Sequence, residues 1–138
     1  MPVEGEPPVE ELPREQCLHL LQYGAYVGRV AFILDGRAIV LPVNYLAEGS
    51  SIVFCTAAGT KLTALAAGAD VAFEVDDGRP LYRAGWSVVV RGEAREVSDQ
   101  QELERLRRGP LKSWATHPKQ HWIRITIEEI SGRRIPET

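Results

Sequence analysis

Residues Tyr26 to Thr56, YVGRVAFILDGRAIVLPVNYLAEGSSIVFCT, decide the fold class. Three apolar runs stand here: Tyr26 to Leu34, Arg37 to Leu46 and Ser51 to Thr56. Each is short, rich in Val, Ile and aromatic residues, and bounded by turn formers, which is the composition of a strand. Asp35-Gly36 separates the first two, and an Asp-Gly pair tolerates the positive φ angles that a two-residue hairpin demands. Glu48-Gly49-Ser50 supplies the second turn. The segment predicts a three-stranded antiparallel meander.

Further strands follow on either side of polar breaks. Val71 to Val75 reads as a strand ending in Asp76-Asp77-Gly78, and Trp86 to Val97 as a long one after a loop over Arg79 to Ala84. His121 to Ile130 is the last, with Gly132 beyond it before a polar tail. Helical spacing of Leu12, Cys17, Leu18, Leu20 and Leu21 predicts a helix over Leu12 to Tyr23, ended by Gly24. A short helix is expected over Lys61 to Ala67, closed by Gly68. Asp99, with Glu102 at the capping-box position, predicts a third helix to about Arg108, stopped by Gly109-Pro110. Leu111 to Gln120 is irregular. Six strands and three short helices predict a mainly β (α+β) domain, a six-stranded antiparallel split barrel spanning residues 12–138. Residues 1–11, rich in Pro and Glu, are expected to form a loose tail. A doubly wound nucleotide fold is excluded, because strand and helix do not alternate and no glycine fingerprint follows the first strand. Small split barrels leave one side incompletely covered, so a homodimer is expected.

Composition narrows the function. A chain of 138 residues with 44% hydrophobic and 25% charged residues can bury one core. A net charge of −3 argues against nonspecific nucleic-acid binding. Arg105, Arg107 and Arg108 are interleaved with Glu102 and Glu104, as on a solvated helix face. Cys17 and Cys55 sit in apolar surroundings as free thiols, and no apolar run is long enough to span a membrane. A soluble cytoplasmic protein is expected, with neither a membrane nor a nucleic-acid partner.

The segment Phe54-Cys55-Thr56-Ala57-Ala58-Gly59-Thr60-Lys61 carries the chemistry. A strand stops, a small turn follows, and a helix starts with a lysine in its first turn. Free N–H groups and the positive helix end favour an anion there, to which Thr56 adds a hydroxyl donor and Lys61 a full charge. A phosphate monoester suits this equipment; so does the plainer reading of a turn with a solvated lysine. Arg29 stands in similar balance between facing the phosphate and facing solvent. His117 and His121 are four apart, but Pro118 and the following strand spoil a metal pair, and no metal is expected. His19 reads as a helix-surface residue, and Trp114 and Trp122 as packing residues.

Taken in order, these pieces resemble the flavin-binding split-barrel proteins related to pyridoxamine 5′-phosphate oxidase. The matching residues are Gly28-Arg29-Val30, Leu41-Pro42-Val43-Asn44-Tyr45, Ile52-Val53-Phe54-Cys55-Thr56 with Gly59-Thr60-Lys61-Leu62, Phe73-Glu74-Val75-Asp76, and Gly85-Trp86-Ser87-Val88-Val89-Val90-Arg91-Gly92. The resemblance spans about Leu12 to Ile135. It implies flavin mononucleotide (FMN), with its phosphate held by Thr56, Gly59, Thr60, Lys61 and Leu62. It also implies that the backbone of Pro42, Val43, Asn44 and Tyr45 runs along the isoalloxazine ring, and that Trp86 and Ser87 come from a second subunit. The site would then lie at a homodimer interface and serve a small-molecule substrate or electron acceptor. The namesake's arginine-rich strand motif and C-terminal Arg-x-His motif are missing; this chain reads Ala38-Ile39-Val40-Leu41-Pro42 and Gly132-Arg133-Arg134-Ile135. The expectation is therefore an FMN-binding oxidoreductase of unassigned substrate. A deazaflavin-dependent reductase, using Lys61 with Arg79 or Arg83, is the alternative. A flavin or haem carrier or sensor, with His117 or His121 as axial ligand, is the third.

Overall fold

The computed structural model describes residues 9–79, 84–111 and 120–135. In chain order the elements are β1 (Glu10–Glu11), α1 (Arg14–Tyr23), β2 (Val27–Leu34), β3 (Arg37–Glu48), β4 (Ser51–Ala57), α2 (Thr60–Ala66), β5 (Ala67–Arg79), β6 (Ala84–Glu96), α3 (Gln100–Arg108) and β7 (Gln120–Ile135). All strand pairings are antiparallel. Asp35 and Gly36 have φ of 52° and 74°, so the β2–β3 connection is the two-residue hairpin that Asp-Gly predicts.

The sheet order is β1-β7-β4-β3-β2-β5-β6, and β7 also pairs with β6, so the ladder that leaves β7 through β4 returns to it through β6. Phe54, Phe73, Ile123, Ile125, Val30, Val75, Val88 and Val90 project inward and are fully buried. The alternation of these strands thus reports their inner face. α2 closes one end with Leu62 and Leu65, while Cys17 and Leu21 of α1 join the same core. A second, smaller cluster lies on the outer face of β4 and β7. There α3 lays Leu103 and Leu106 over Val53, Val97 and Trp122.

Seven strands are present among the described residues, where six were expected. The extra one is β1, whose Glu10 and Glu11 pair with Arg134 and Arg133, inside the segment read as tail. Three boundaries also move. β5 begins at Ala67 and runs through Asp76-Asp77-Gly78, because β6 offers ladder partners along its whole length. β7 continues past Gly132 to Ile135. A Cβ on Gly132 would stand 2.7 Å from Cys17 Sγ, so this glycine admits α1 rather than ending a strand. α1 starts at Arg14, leaving Leu12 to donate its N–H to Gly132 O. Asp99 caps α3 as predicted, accepting from Glu102 N at 3.1 Å.

Opposite charges pin α3 to the β3–β4 hairpin. Arg105 donates to both oxygens of Glu48, at 2.6 and 3.1 Å, and Arg124 donates to Ser51 Oγ at 2.6 Å and to Glu102. The Arg105 hydrogen bonds, opposed by partial burial, hold the Glu48 carboxyl below its ordinary value. A carboxyl depressed in the folded state contributes stability above its unfolded pKa and loses it as pH falls through the folded one. Glu48→Gln is therefore expected to be less stable than wild type at neutral pH, with the gap closing as pH falls below about 4. Urea titrations at neutral and acidic pH check this; a gap independent of pH would contradict it.

Candidate functional site

The ladder between β3 and β4 covers only Tyr45–Glu48 on β3. Residues 37–44 are flanked by β2 on one side, and among the described residues no strand pairs with their other side, which is an open edge. Tyr45 N donates to Tyr26 O at 3.2 Å, which fixes the parity of the strand. Odd-numbered residues of β3 direct their N–H and C=O groups at β2; Pro42 and Asn44 direct theirs at the open edge. Pro42 has no N–H to leave unpaired, which is why an edge tolerates it. The Pro42 and Asn44 side chains share the outer face with Arg29, which stands directly across from Pro42. Arg29 is engaged by Glu74 at 2.8 Å and Asp76 at 3.2 Å, so it is an ion-pair partner of β5 rather than a free phosphate ligand. Asn44 Oδ1 is buried and has no hydrogen-bond partner among the described residues. An acceptor stripped of water in this way is costly unless something donates to it.

Beyond Phe54, β4 leaves β3 and stays with β7, pairing Cys55 with Trp122, Thr56 with His121 and Ala57 with Gln120. Continuing the β3–β4 register sets Thr56 level with Val43, so the turn after β4 and the open edge of β3 border the same gap. Gly59 takes φ 153° and ψ −172°, a conformation that side chains rarely adopt, and the space where its Cβ would sit is empty. Thr63 N donates to Gly59 O at 3.1 Å, leaving the N–H groups of Thr60, Lys61 and Leu62 without intrahelical partners. Ala57, Ala58, Gly59, Thr60 and Lys61 are exposed, so the corner is lined by small and polar groups.

The side chains of three expected site residues turn away. Leu62 anchors α2 in the core, leaving only its backbone at the corner. Tyr45 is 6% exposed; its hydroxyl donates to Leu21 O at 2.5 Å and approaches Ala25 O at 3.2 Å, and burial pushes its pKa up to about 12. Its ring meets Phe73 edge-on at 5.0 Å. Tyr45 thus supports the edge from beneath. Val43 also points inward, against the core.

Trp86 and Ser87 lie apart from the corner. They pair with Asp77 and Asp76, whereas the strand that leaves α2 begins opposite Arg95. On β7 Ser87 pairs with Arg133, twelve positions from His121, the partner of Thr56, which is roughly 40 Å of strand. Trp86 packs its indole over Gly24 and borders a groove of about 450 Å³ shared with Asp77, Gly85, Arg133 and Ile135. A single chain brings Pro42–Asn44 to the Thr56–Leu62 corner but does not bring Trp86 and Ser87 there. His121, weighed in the sequence as a metal or haem ligand, is the ladder partner of Thr56, with Nδ1 at 2.7 Å from Glu96 Oε2. No local signal marks that pair, because 25 residues separate its members. Trp114, His117, Arg83 and the Arg79 side chain lie outside the described residues. No described helix is long and apolar enough to cross a membrane.

Comparison with known proteins bears on this geometry. The chain matches the pyridoxamine 5′-phosphate oxidase family over residues 13–134. The uncharacterized protein Rv0080 of Mycobacterium tuberculosis is 35% identical over 132 residues, covering 92% of this chain and 86% of the relative. Among solved structures, an FAD binding protein from Mycobacterium smegmatis superposes with a TM-score of 0.80 at 35% identity, covering 94% of this chain and all (100%) of that one. An FAD-binding protein from Mesorhizobium loti superposes with a TM-score of 0.78 at 27% identity, covering 95% of this chain and 99% of that one.

Proposed function

This chain belongs to the pyridoxamine 5′-phosphate oxidase-like family, and on that premise we propose that it is a flavin-binding oxidoreductase. The cofactor phosphate would dock at the β4–α2 corner and the ring along the open edge of β3. The observation that carries the reading is the edge itself, where Asn44 holds a buried amide oxygen without a donor beside a turn with free N–H groups. A phosphorylated planar heterocycle complements both halves of that arrangement.

The residues divide the work. The N–H groups of Thr60, Lys61 and Leu62, the Thr56 hydroxyl and the Lys61 ammonium would bind the phosphate. Gly59 lets the backbone turn closely there. Asn44 Oδ1 would accept from the ring's N3–H, and the Asn44 backbone N–H would donate to the ring's polar rim. Bound flavin supplies hydride or electron transfer, and the protein places and polarises it.

Trp86 and Ser87 enter this reading through a second copy of the chain, since Ser87 pairs with β7 twelve positions away from the ladder partner of Thr56. The proposed assembly is therefore a homodimer of split barrels with a site at each end of the interface. Exposed Ile33 and Val40, on the outer face that carries Pro42 and Asn44, are apolar surface such an interface would cover. FMN is the minimal cofactor for this corner. The FAD-binding names of the two similar structures favour the dinucleotide as a second reading, and both molecules share the riboflavin phosphate that the corner would hold.

Lys61→Ala is expected to weaken FMN binding by about 1–3 kcal/mol, the range for losing a charge-assisted hydrogen bond. Fluorescence titration of the apoprotein with FMN and with FAD checks this and ranks the two. Unchanged affinity would remove Lys61 from the site. A wild-type protein that binds neither flavin would end the reading.

A further inference from the structure

We infer that His121, held by Glu96, is a further ligand to the anionic group at the β4–α2 corner. This rests on the flavin reading and extends it to a residue that the expected site does not include. Three observations carry it. First, His121 is the ladder partner of Thr56. Ile127 N donates to Ser50 O at 2.9 Å, and from that point the register makes Thr56 and His121 a hydrogen-bonded pair. Their side chains therefore stand on one face, about 5 Å apart at Cβ, beside the turn that carries Gly59.

Second, the imidazole is fixed but reachable. Glu96 Oε2 takes Nδ1 at 2.7 Å, and the side chain keeps 30% of its surface open. With Nδ1–H donated to Glu96, Nε2 is the ring atom left for a ligand. The carboxylate sets ring orientation in the way that an outer partner orients a metal-bound histidine. Third, the local charges favour an anion at Nε2. Glu96 would by itself repel a phosphate, but its Oε2 is turned to His121 Nδ1 at 2.7 Å. Of the other charged groups near this end, Lys61 of α2 is exposed and positive. Arg95 is paired with Glu93, and Arg124 points to the opposite face, towards Ser51 and Glu102. With Nδ1 turned to the carboxylate, Nε2 is left to share a proton with a phosphate oxygen.

The test titrates FMN and riboflavin, which lacks the phosphate, into wild type, His121→Gln, Glu96→Gln and Lys61→Ala. His121→Gln is expected to weaken FMN roughly tenfold or more while riboflavin changes by less than about twofold. Glu96→Gln is expected to lose part of the same preference. If Lys61→Ala loses FMN affinity and His121→Gln does not, the inference fails and the flavin reading stands. Equal losses for FMN and riboflavin also overturn it, since a general distortion would weaken both. If wild type binds no flavin, both fall together. Should His121→Gln not fold, the His121 ring proton shifts of wild type are followed by NMR during titration with inorganic phosphate. Shifts that move with phosphate support the contact, and shifts that stay still overturn it.

Discussion

Phe73→Ala is expected to lower the unfolding free energy by about 3–5 kcal/mol, the range for truncating a large buried aromatic side chain. Phe73 is 0% exposed and sits where three strands meet, paired with Val30 on β2 and Val90 on β6. Its ring covers Gly28 so closely that a Cβ there would lie 2.2 Å from Cζ, and it packs against Tyr45 of β3. The ring thus fills the space under both strands of the hairpin whose far side is the open edge. Surrounding strands are locked by their ladders, so the cavity cannot collapse, and the cost should fall near the top of the range. Chemical denaturation of purified protein measures it. Flavin affinity should fall in the same variant, because Tyr45 supports the residues that border the ring. A loss below about 1 kcal/mol would mean that the core is looser than this packing implies.

Gly92→Ala should cost on the order of 3 kcal/mol, for the opposite reason: overpacking against backbone. A Cβ at Gly92 would lie 1.9 Å from Thr126 O and 3.0 Å from Thr126 C. A flexible side chain could swing aside, but a ladder carbonyl cannot. Gly92 also adjoins the one register shift between β6 and β7, where Arg91 pairs with Glu129 and Gly92 with Ile127, leaving Glu128 as the extra residue of a bulge. That extra residue lets Ile127 and Ile130 both meet the inner side on a strand where simple alternation would send one of them out. Gly78→Ala is the matched control, since no atom of the described residues lies within 4 Å of its Cβ position, and its effect should be within about 0.5 kcal/mol. If thermal unfolding finds the two variants alike, the close approach at Gly92 has no energetic weight.

Much of this molecule was legible from local signals. Asp35-Gly36 sits in a two-residue loop, Asp99 caps α3, and the alternation of Val71, Phe73 and Val75 marks an inner face. Each depends on residues within a few positions of one another, which is the range over which backbone propensity and period act. The misread boundaries share a cause. Asp76-Asp77-Gly78 has turn chemistry, yet β6 supplies twelve residues of ladder partners that outweigh it. Gly132 looks like a stop, yet it is the space that α1 requires. Glu10-Glu11 looks like solvated tail, yet two arginines and an open β7 edge lie opposite.

The candidate site divides along the same line. The small turn, the glycine and the lysine of the β4–α2 corner are contiguous, so a chain of residues already specifies their chemistry. The open side of β3 depends on where β4 leaves it, which is set by the pull of β7 on Cys55, Thr56 and Ala57 across more than sixty positions of sequence. The inward turn of Tyr45, the capture of Arg29 by Glu74 and Asp76, the unpaired oxygen of Asn44 and the meeting of His121 with Glu96 and Thr56 belong to that second class. Local periodicity fixes which face a side chain takes; only closure of the ladder fixes what stands opposite it, because cross-strand partners are selected by burying the whole inner surface at once.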